Sequence, residues 1–150
     1  MRTDDEMMLR ALELAKQAAD IDEVPIGAVV FHGDKIVGEG FNKKESDNNP
    51  TAHAELIAIT NAAKNLGRWR LHDCTLAVTL EPCPMCAGAL VNSRIDRLVF
   101  GASDHKSGAC RTLFEIADDP RLNHICEITG GVLESDCIKL LQDFFKTKRN

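Results

Sequence analysis

The chain has 150 residues, of which 44% are hydrophobic and 27% charged, and a formal net charge of −5. This length is typical of one domain with its own core, and the composition is typical of a soluble globular protein. No apolar run approaches the roughly 18 residues of a membrane span, and residues 2–6 resemble neither a signal nor a transit peptide. The negative charge argues against nonspecific coating of nucleic acid. We therefore expect one soluble, cytoplasmic domain over residues 1–150.

Hydrophobic periodicity and turn residues predict alternating helices and strands. Thr3 followed by Glu6 fits a capping box, and Gly67 is expected to end a second helix whose candidate N-cap is Thr51. In chain order, the predicted elements are a helix ending near Asp20, strands over 24–31 and 35–41, a helix over 51–65, a strand over 74–80, a helix over 85–92, a strand over 95–100, a helical turn over 113–117, a strand over 125–129 and a helix over 134–146.

This order of elements predicts an α/β fold in three layers, α/β/α. One central mixed five-stranded sheet would carry helices on both faces. The third and fourth strands, joined by a helix, are expected to form a right-handed parallel crossover. Two helices have predicted buried sides, which comprise Leu56, Ile59, Ala63 and Leu66 in one and Ile138, Leu141 and Phe145 in the other.

Six cysteines raise the question of disulfide bonds. A domain of this size has a sufficient core without them, and the sequence carries no export signal to an oxidising compartment. Free cysteine is also commonly buried. We therefore interpret four cysteines as packing residues and two, Cys83 and Cys86, as metal ligands.

Cys83 and Cys86 lie three residues apart where a predicted strand gives way to a helix. In the first turn of a helix this spacing lets two thiolates hold one ion from the same side. Pro84 suits a first helical position, and the positive end of the helix favours the thiolate form. Alone, Cys-x-x-Cys is also typical of a redox pair, half of a structural zinc site or two core residues.

His53 and Glu55 lie at the head of the second predicted helix. Two residues apart on a helix corresponds to about 200° of rotation, so these side chains converge only beyond the helix end. We therefore expect a metal off this end, facing the Cys83–Cys86 turn. Three protein ligands plus water are typical of a catalytic zinc, whereas a structural zinc has four protein ligands.

A closed structural site would need a fourth protein ligand. The candidates, none of which has ligand spacing to another, are Cys74, Cys110, Cys126, Cys137, His72, His105 and His124. At an open site, zinc makes hydroxide available near neutral pH. Glu55 is the one acid placed to take the proton of that water and return it to a leaving amine; without the nearby ligands it would be interpreted as an ordinary helix residue.

The pattern His-x-Glu followed by Pro-Cys-x-x-Cys is the signature of zinc deaminases that act on cytosine or adenine. The chain resembles bacterial tRNA-specific adenosine deaminases over essentially its whole length, in segments 23–30, 42, 50–55, 69–71, 79–89 and 144–146. This resemblance implies the cytidine-deaminase-like fold, one zinc ion per chain and a homodimer. It also implies hydrolytic conversion of adenosine to inosine at the wobble position (34) of a tRNA anticodon.

By position, the resemblance makes His53, Cys83 and Cys86 the zinc ligands and Glu55 the proton shuttle. Hydroxide would add to C6 of adenine while Glu55 protonates N1 and then the departing amino group. The substrate-binding residues that it implies are Asn42 against the flipped base, Ala54, Asp104 and Lys106 at the sugar and phosphate, and Phe144 and Arg149 beside the anticodon stem-loop. Asn49 departs from the family, which often has Asp there.

Two other functions fit the same residues. The first is a zinc deaminase of a free base or nucleoside (guanine, cytosine or cytidine), because the motif reads the ring carbon and its amine rather than what is attached. The second is a non-catalytic zinc or dithiol module. If a homodimer forms, the helix after Cys86, with Ala87, Leu90 and Val91, and the following loop are its expected interface.

Overall fold

The computed structural model describes residues 2–148, which form a five-stranded sheet and four helices. The elements are α1 (Asp4–Asp20), β1 (Gly27–His32), β2 (Lys35–Phe41), α2 (Ala54–Leu66), β3 (Cys74–Leu80), α3 (Pro84–Ser93), β4 (Arg97–Ala102), β5 (Glu127–Thr129) and α4 (Glu134–Lys148). The strand order is β2-β1-β3-β4-β5. β1 is antiparallel to β2 and β3, whereas β3, β4 and β5 are parallel. The predicted mixed sheet is confirmed.

Side chains of the central strands alternate between two hydrophobic layers. On one face, Ala28 and Val30 of β1 belong to a core that also contains the buried sides of α2 and α3. On the other face, Val29 and Phe31 pack with α1 and α4. This alternation follows from the two-residue repeat of a strand and confirms the three-layer architecture. Within residues 2–148, no helix has both the length and the apolar character needed to span a membrane.

The close approach of α2 to β2 corrects the predicted buried side of this helix. Its fully buried residues are Ala54, Glu55, Ala58 and Ala62. Of the predicted residues, Ile59, Ala63 and Leu66 are partly buried and pack against the core, and Leu56 is partly buried. The cause lies on β2: a Cβ added to Gly38 would come within 2.3 Å of the Ala58 carbonyl oxygen, and one on Gly40 within 2.6 Å of that of Ala54. Only small side chains fit between a strand and a helix this close.

The N-terminus of α2 also differs from its prediction. The helix begins at Ala54 and its N-cap is His53 rather than Thr51. Thr51 instead donates both its amide and its hydroxyl to the side-chain oxygen of Asn49, at 3.0 and 2.9 Å. The predicted capping box of α1 is confirmed, with the Glu6 amide bound to the Thr3 hydroxyl, and Gly67 ends α2 in the left-handed conformation.

The predicted helical turn over 113–117 is wrong. The amides of Cys110, Arg111 and Thr112 bind the Glu81 carboxylate rather than helical carbonyls, and those of Leu113 and Phe114 both bind the Gly108 carbonyl. Within 113–117, the amides of Leu113, Phe114 and Ile116 therefore reach back five to seven residues, farther than the four residues of an α-helix.

The ends of β1, β4 and β5 also differ from prediction. β1 begins at residue 27 because the Ile26 amide turns back to the Val24 carbonyl. β4 begins at residue 97 because the Ile95 amide still binds the Leu90 carbonyl of α3. β5 is limited to three residues.

Two predicted apolar surfaces are placed differently in the structure. In α4 the buried residue is Cys137, with Ile138 packed against the core, whereas Phe145 is 45% exposed rather than inward. In α3, Ala87, Leu90 and Val91 are buried in the protein's own core. These three side chains therefore face the interior of the chain. The expected dimer interface on this helix and the following loop stays a prediction.

The four cysteines interpreted as packing residues, Cys74, Cys110, Cys126 and Cys137, are free and buried. Burial raises the pKa of Cys126 and of Cys137 to about 12, which keeps both thiols protonated at neutral pH. This finding agrees with a packing role.

Gly38→Ala tests the close contact between α2 and β2. The added methyl group would meet backbone atoms that cannot move independently, so we expect the free energy of unfolding to fall by roughly 1–3 kcal/mol. Urea unfolding measures it. Lys35→Ala, at an exposed position on the same strand, is the control and should stay within about 0.5 kcal/mol of the original protein. If Gly38→Ala and the unaltered chain unfold at the same urea concentration, the close contact between α2 and β2 is contradicted.

Candidate metal centre and active site

The N-termini of α2 and α3 meet, and they bring together the three predicted ligands. His53 is the N-cap of α2, Cys83 is the N-cap of α3, and Cys86 lies in the first turn of α3. The Nδ1 atom of His53 lies 3.7 Å from the Sγ atom of Cys83 and 3.6 Å from that of Cys86. The ligand atoms of the three residues all lie within 4.8 Å of one another.

The spacing of these atoms fits a tetrahedral zinc ion. Zn–S bonds of about 2.3 Å and Zn–N bonds of about 2.0–2.1 Å at tetrahedral angles place sulfur and nitrogen about 3.6 Å apart. One imidazole and two thiols are also a donor set that zinc prefers. Within residues 2–148, none of the other cysteines or histidines joins this group. The residues could therefore hold zinc with one coordination position left open.

Local main-chain contacts fix the two helix ends. The Lys43 amide, just after β2, binds the Ala52 carbonyl at 3.0 Å and so ties the chain before α2 to the end of that strand. Pro84 occupies the first turn of α3, where a missing N–H leaves no helical hydrogen bond unmade. Neither His53 nor Cys83 uses its side chain as a helix cap, so both side chains are free to face the metal position.

The thiols and the nearby carboxyl carry perturbed pKa values. A hydrogen bond with Cys86 lowers the pKa of Cys83 to about 4, so Cys83 is a thiolate at neutral pH, and the same bond raises the pKa of Cys86. The hydrogen bond with Cys83 likewise raises the pKa of His53. Glu55 is 4% exposed, and burial raises its pKa to about 7.

A cavity of about 180 Å³ opens onto this group of side chains. Among its lining residues are Val24, Ile26, Asn42, Lys44, His53, Ala54, Glu55, Leu80, Glu81, Cys83, Asp104 and Ser107. The lining thus joins two ligand residues, the buried acid and the flanking loops in one concave site, as expected of a small-molecule or nucleobase pocket.

The predicted substrate residues divide into two groups. Asn42, Ala54 and Asp104 line the cavity. Lys106 and Phe144 are not among the lining residues; Phe144 lines a separate depression together with Ala19 and Asp22. Arg149 lies outside the described residues.

Asn42 keeps part of its hydrogen-bonding capacity for a ligand. Its side-chain amide donates to the Val24 carbonyl at 3.4 Å, and its oxygen accepts from the Lys44 amide at 3.2 Å. An amide group offers two donors and an acceptor with two lone pairs. These two bonds leave one N–H and one lone pair of the side-chain amide unused.

Two cavity residues that the sequence did not single out are Lys44 and Glu81. Glu81 falls within the motif segment 79–89, and Lys44 lies outside the motif segments. The signal for Glu81 was its position two residues before Cys83. Nothing local indicated its long-range partners, because they lie more than 20 residues further along the chain.

Comparison with known proteins identifies the family. A family model described as MafB19-like deaminase matches residues 2–149. The tRNA-specific adenosine deaminase of Haemophilus influenzae is 51% identical over 147 residues, which is 97% of this chain and 85% of that protein. The chain belongs to the tRNA-specific adenosine deaminase family. The Bacillus subtilis enzyme of the same name is 46% identical over 149 residues, 99% of this chain and 92% of the relative.

Solved structures agree with this assignment. A structure from a study of A-to-I editing by tRNA:A34 deaminases superposes with a TM-score of 0.86 at 39% identity, over 90% of this chain and 98% of that one. The guanine deaminase of Nitrosomonas europaea superposes with a TM-score of 0.83 at 25% identity, over 96% of this chain and 85% of that one. The predicted cytidine-deaminase-like fold is confirmed.

Cys83→Ala and Cys86→Ala test the metal site. Each removes one of three ligands, so we expect zinc content after dialysis to fall from about one ion per chain to near zero. Metal analysis by mass spectrometry measures it. Cys126→Ala removes a buried packing thiol and should retain the zinc. Full zinc content in both ligand variants would show that the metal is held elsewhere.

Proposed function

We propose that this chain is a zinc-dependent hydrolase that deaminates adenosine to inosine at position 34 of tRNA. The observation that carries this proposal is the cavity that joins the His53–Cys83–Cys86 group to the buried Glu55 and to Asn42. Together they provide a metal position, an acid outside the ligand set and a polar side chain for a base. We also propose that residues 1–150 form one deaminase domain that acts on tRNA in the cytoplasm.

Zinc in this site would act as a Lewis acid that makes water a nucleophile near neutral pH. Glu55 lies in the cavity wall, and its side chain contacts Cys86, so it can reach both the attacking water and the base. We assign to Glu55 the transfer of the water proton to N1 of adenine and of the next proton to the amino group on C6. One water is consumed, the C6–N bond breaks, and inosine and ammonia leave.

Asn42 and the flanking loops hold the substrate in our proposal. The free N–H and lone pair of Asn42 meet the edge of the flipped base, while Asp104 and Lys106 serve the sugar and phosphate. A base in an anticodon loop is already partly unstacked, so extruding it costs a few kcal/mol or less. Single-stranded RNA loops also expose base edges and 2′-hydroxyls to proteins.

Deamination of a free base is the second candidate function. The specific observation in its favour is the likeness to the guanine deaminase of Nitrosomonas europaea. That likeness is at 25% identity, whereas the tRNA-specific relatives reach 46–51% over nearly the whole chain. The higher identity supports tRNA as the substrate.

We further propose a homodimer that uses the expected helix α3, but through its outward residues rather than through Ala87, Leu90 and Val91. The outward side of α3 carries the partly exposed Met85, Gly88 and Ala89, and the segment after Cys110 exposes Leu113 by 51% and Phe114 by 54%. Exposed apolar side chains of this size are typical of an interface. A sedimentation mass near 16.5 kDa, that of one chain, would contradict the dimer.

Glu55→Gln tests the proton transfers and the substrate together. The amide has the same shape but cannot accept a proton, so we expect inosine formation at A34 to slow by about 10²- to 10⁴-fold. The substrate is an anticodon stem-loop RNA with A34, and mass spectrometry of its nucleosides gives the rate. Zinc content and thermal unfolding should match those of the unaltered enzyme.

The control substrates are free adenine, guanine and cytidine with the unaltered enzyme. Release of ammonia from these compounds and not from the stem-loop would overturn the tRNA proposal. Inosine formation by Glu55→Gln at close to the normal rate would instead remove Glu55 from the mechanism.

A further inference from the structure

A second buried carboxylate, Glu81, lies in the cavity wall and has no role in the proton transfers described above. Its residue is 2% exposed. Its oxygens accept hydrogen bonds from a segment that we call the wall loop, residues 103–112. The bonds come from the amides of Asp104 at 3.1 Å, Cys110 at 3.1 Å, Arg111 at 2.8 Å and Thr112 at 2.9 Å, and from the Thr112 hydroxyl.

The wall loop forms one side of the cavity through Asp104 and Ser107. The Asp104 carboxylate is oriented within the loop, because it accepts bonds from the amides of Lys106 and Ser107 and from the Ser107 hydroxyl, at 2.9, 3.2 and 2.9 Å. A carboxylate has about four acceptor positions, so Asp104 retains capacity for a substrate hydroxyl. The place of Asp104 in the cavity therefore depends on what fixes the loop as a whole.

Glu81, which directly follows β3, makes most of the hydrogen bonds between the wall loop and the end of that strand. Residues 103–112 contain no helix or strand. The main-chain bond from the Ala109 amide to the Pro82 carbonyl, at 2.9 Å, adds one contact to the same segment. The contact is close, since a Cβ on Gly108 would lie 2.6 Å from the Glu81 carboxylate and 2.5 Å from the Asp104 carbonyl oxygen.

Glu81 anchors the wall loop, and the hydrogen bonds that do so require a carboxylate. Five donors point at its two oxygens, which fills the acceptor capacity of the group. A glutamine of the same shape would turn its NH₂ group toward N–H donors and leave some of them buried without a partner, which is costly. The same saturation separates Glu81 from Glu55, because a fully bonded carboxylate has no position left to exchange protons with substrate.

We propose that Glu81 is a positioning residue for the substrate nucleotide, acting through the wall loop. It sets Asp104 and Ser107 against the part of the nucleotide that is attached to the base in the cavity. This role rests on the proposed function, since it concerns a base that carries a sugar and phosphate. Glu81 therefore affects how well the RNA is held more than how fast the bound base reacts.

Hydrogen–deuterium exchange of Glu81→Gln tests the anchor without any activity. We expect the amides of Asp104 and of residues 110–112 to exchange at least about tenfold faster. Glu23→Gln is the matched control: Glu23 is 1% exposed, and its carboxylate accepts hydrogen bonds from the amides of Glu45 and Ser46, at 3.1 and 2.6 Å, in a different loop. That variant should loosen residues 45–46 and leave the wall loop protected. If the amides of residues 110–112 exchange at the same rate in Glu81→Gln as in the unaltered chain, Glu81 does not hold the wall loop.

Steady-state kinetics on the A34 stem-loop test the positioning role. In Glu81→Gln we expect KM to rise about tenfold to a hundredfold while kcat stays within about threefold and zinc content is unchanged. Asp4→Asn breaks the ion pair of Asp4 with Arg97, away from the cavity, and controls for lost stability. It should leave both constants unchanged. If Glu81→Gln does not fold, Thr112→Val removes a single donor, and a smaller rise in KM of about threefold is expected.

Three outcomes are decisive against the proposal or its basis. An unaltered enzyme that leaves the stem-loop unchanged overturns the proposed function and the positioning role with it. If the unaltered enzyme is active and neither Glu81→Gln nor Thr112→Val raises its KM, the positioning role alone is overturned. A fall in kcat with constant KM also overturns it, because the defect would then lie in the chemical step.

Discussion

The contact between α2 and β2 is the constraint on which the rest of the site depends. Gly38 and Gly40 let the helix lie so close to the strand that only the small side chains of Ala58 and Ala62 fit between them. This contact fixes the position of the helix N-terminus, and with it His53 and Glu55. β3 belongs to the same sheet as β2, and α3 begins shortly after β3 ends. Cys83 therefore meets His53 at ligand distance. Small residues that do not line the cavity thus help to determine the geometry of the metal centre.

Three buried glutamates, Glu23, Glu55 and Glu81, differ in the hydrogen bonds that their carboxylates accept. Glu23 and Glu81 each accept several hydrogen bonds, which outweigh burial and hold the pKa of both below its usual value. Glu55 is buried as deeply, but burial dominates and its pKa is raised. Hydrogen-bond donors from loops therefore separate two structural carboxylates from one that is suited to proton transfer. The same residue type serves as a loop anchor or as an acid according to its neighbours.

Sequence reasoning predicted what depends on local pattern and on motif spacing. Such signals predict the order of helices and strands along the chain, the capping box at Thr3 and the meeting of His53 with Cys83 and Cys86. The fully buried side of α2 could not be predicted, because it depends on the contact of this helix with Gly38 and Gly40 of β2, which precede it by more than ten residues. The helical turn over 113–117 is wrong for a similar reason: Glu81 holds the preceding residues 110–112 from about 30 residues away, and the amides of Leu113 and Phe114 both bind the Gly108 carbonyl. Long-range contacts override local propensity in both cases.

X-ray absorption at the zinc K-edge measures whether the two helix ends hold a zinc ion with one open coordination position. In protein loaded with one equivalent of zinc, the account predicts two sulfur neighbours at about 2.3 Å and lighter neighbours at about 2.0–2.1 Å. Those lighter neighbours would be one imidazole nitrogen and one exchangeable oxygen. Three or four sulfur neighbours would show a closed structural site built from the buried cysteines and would contradict the account.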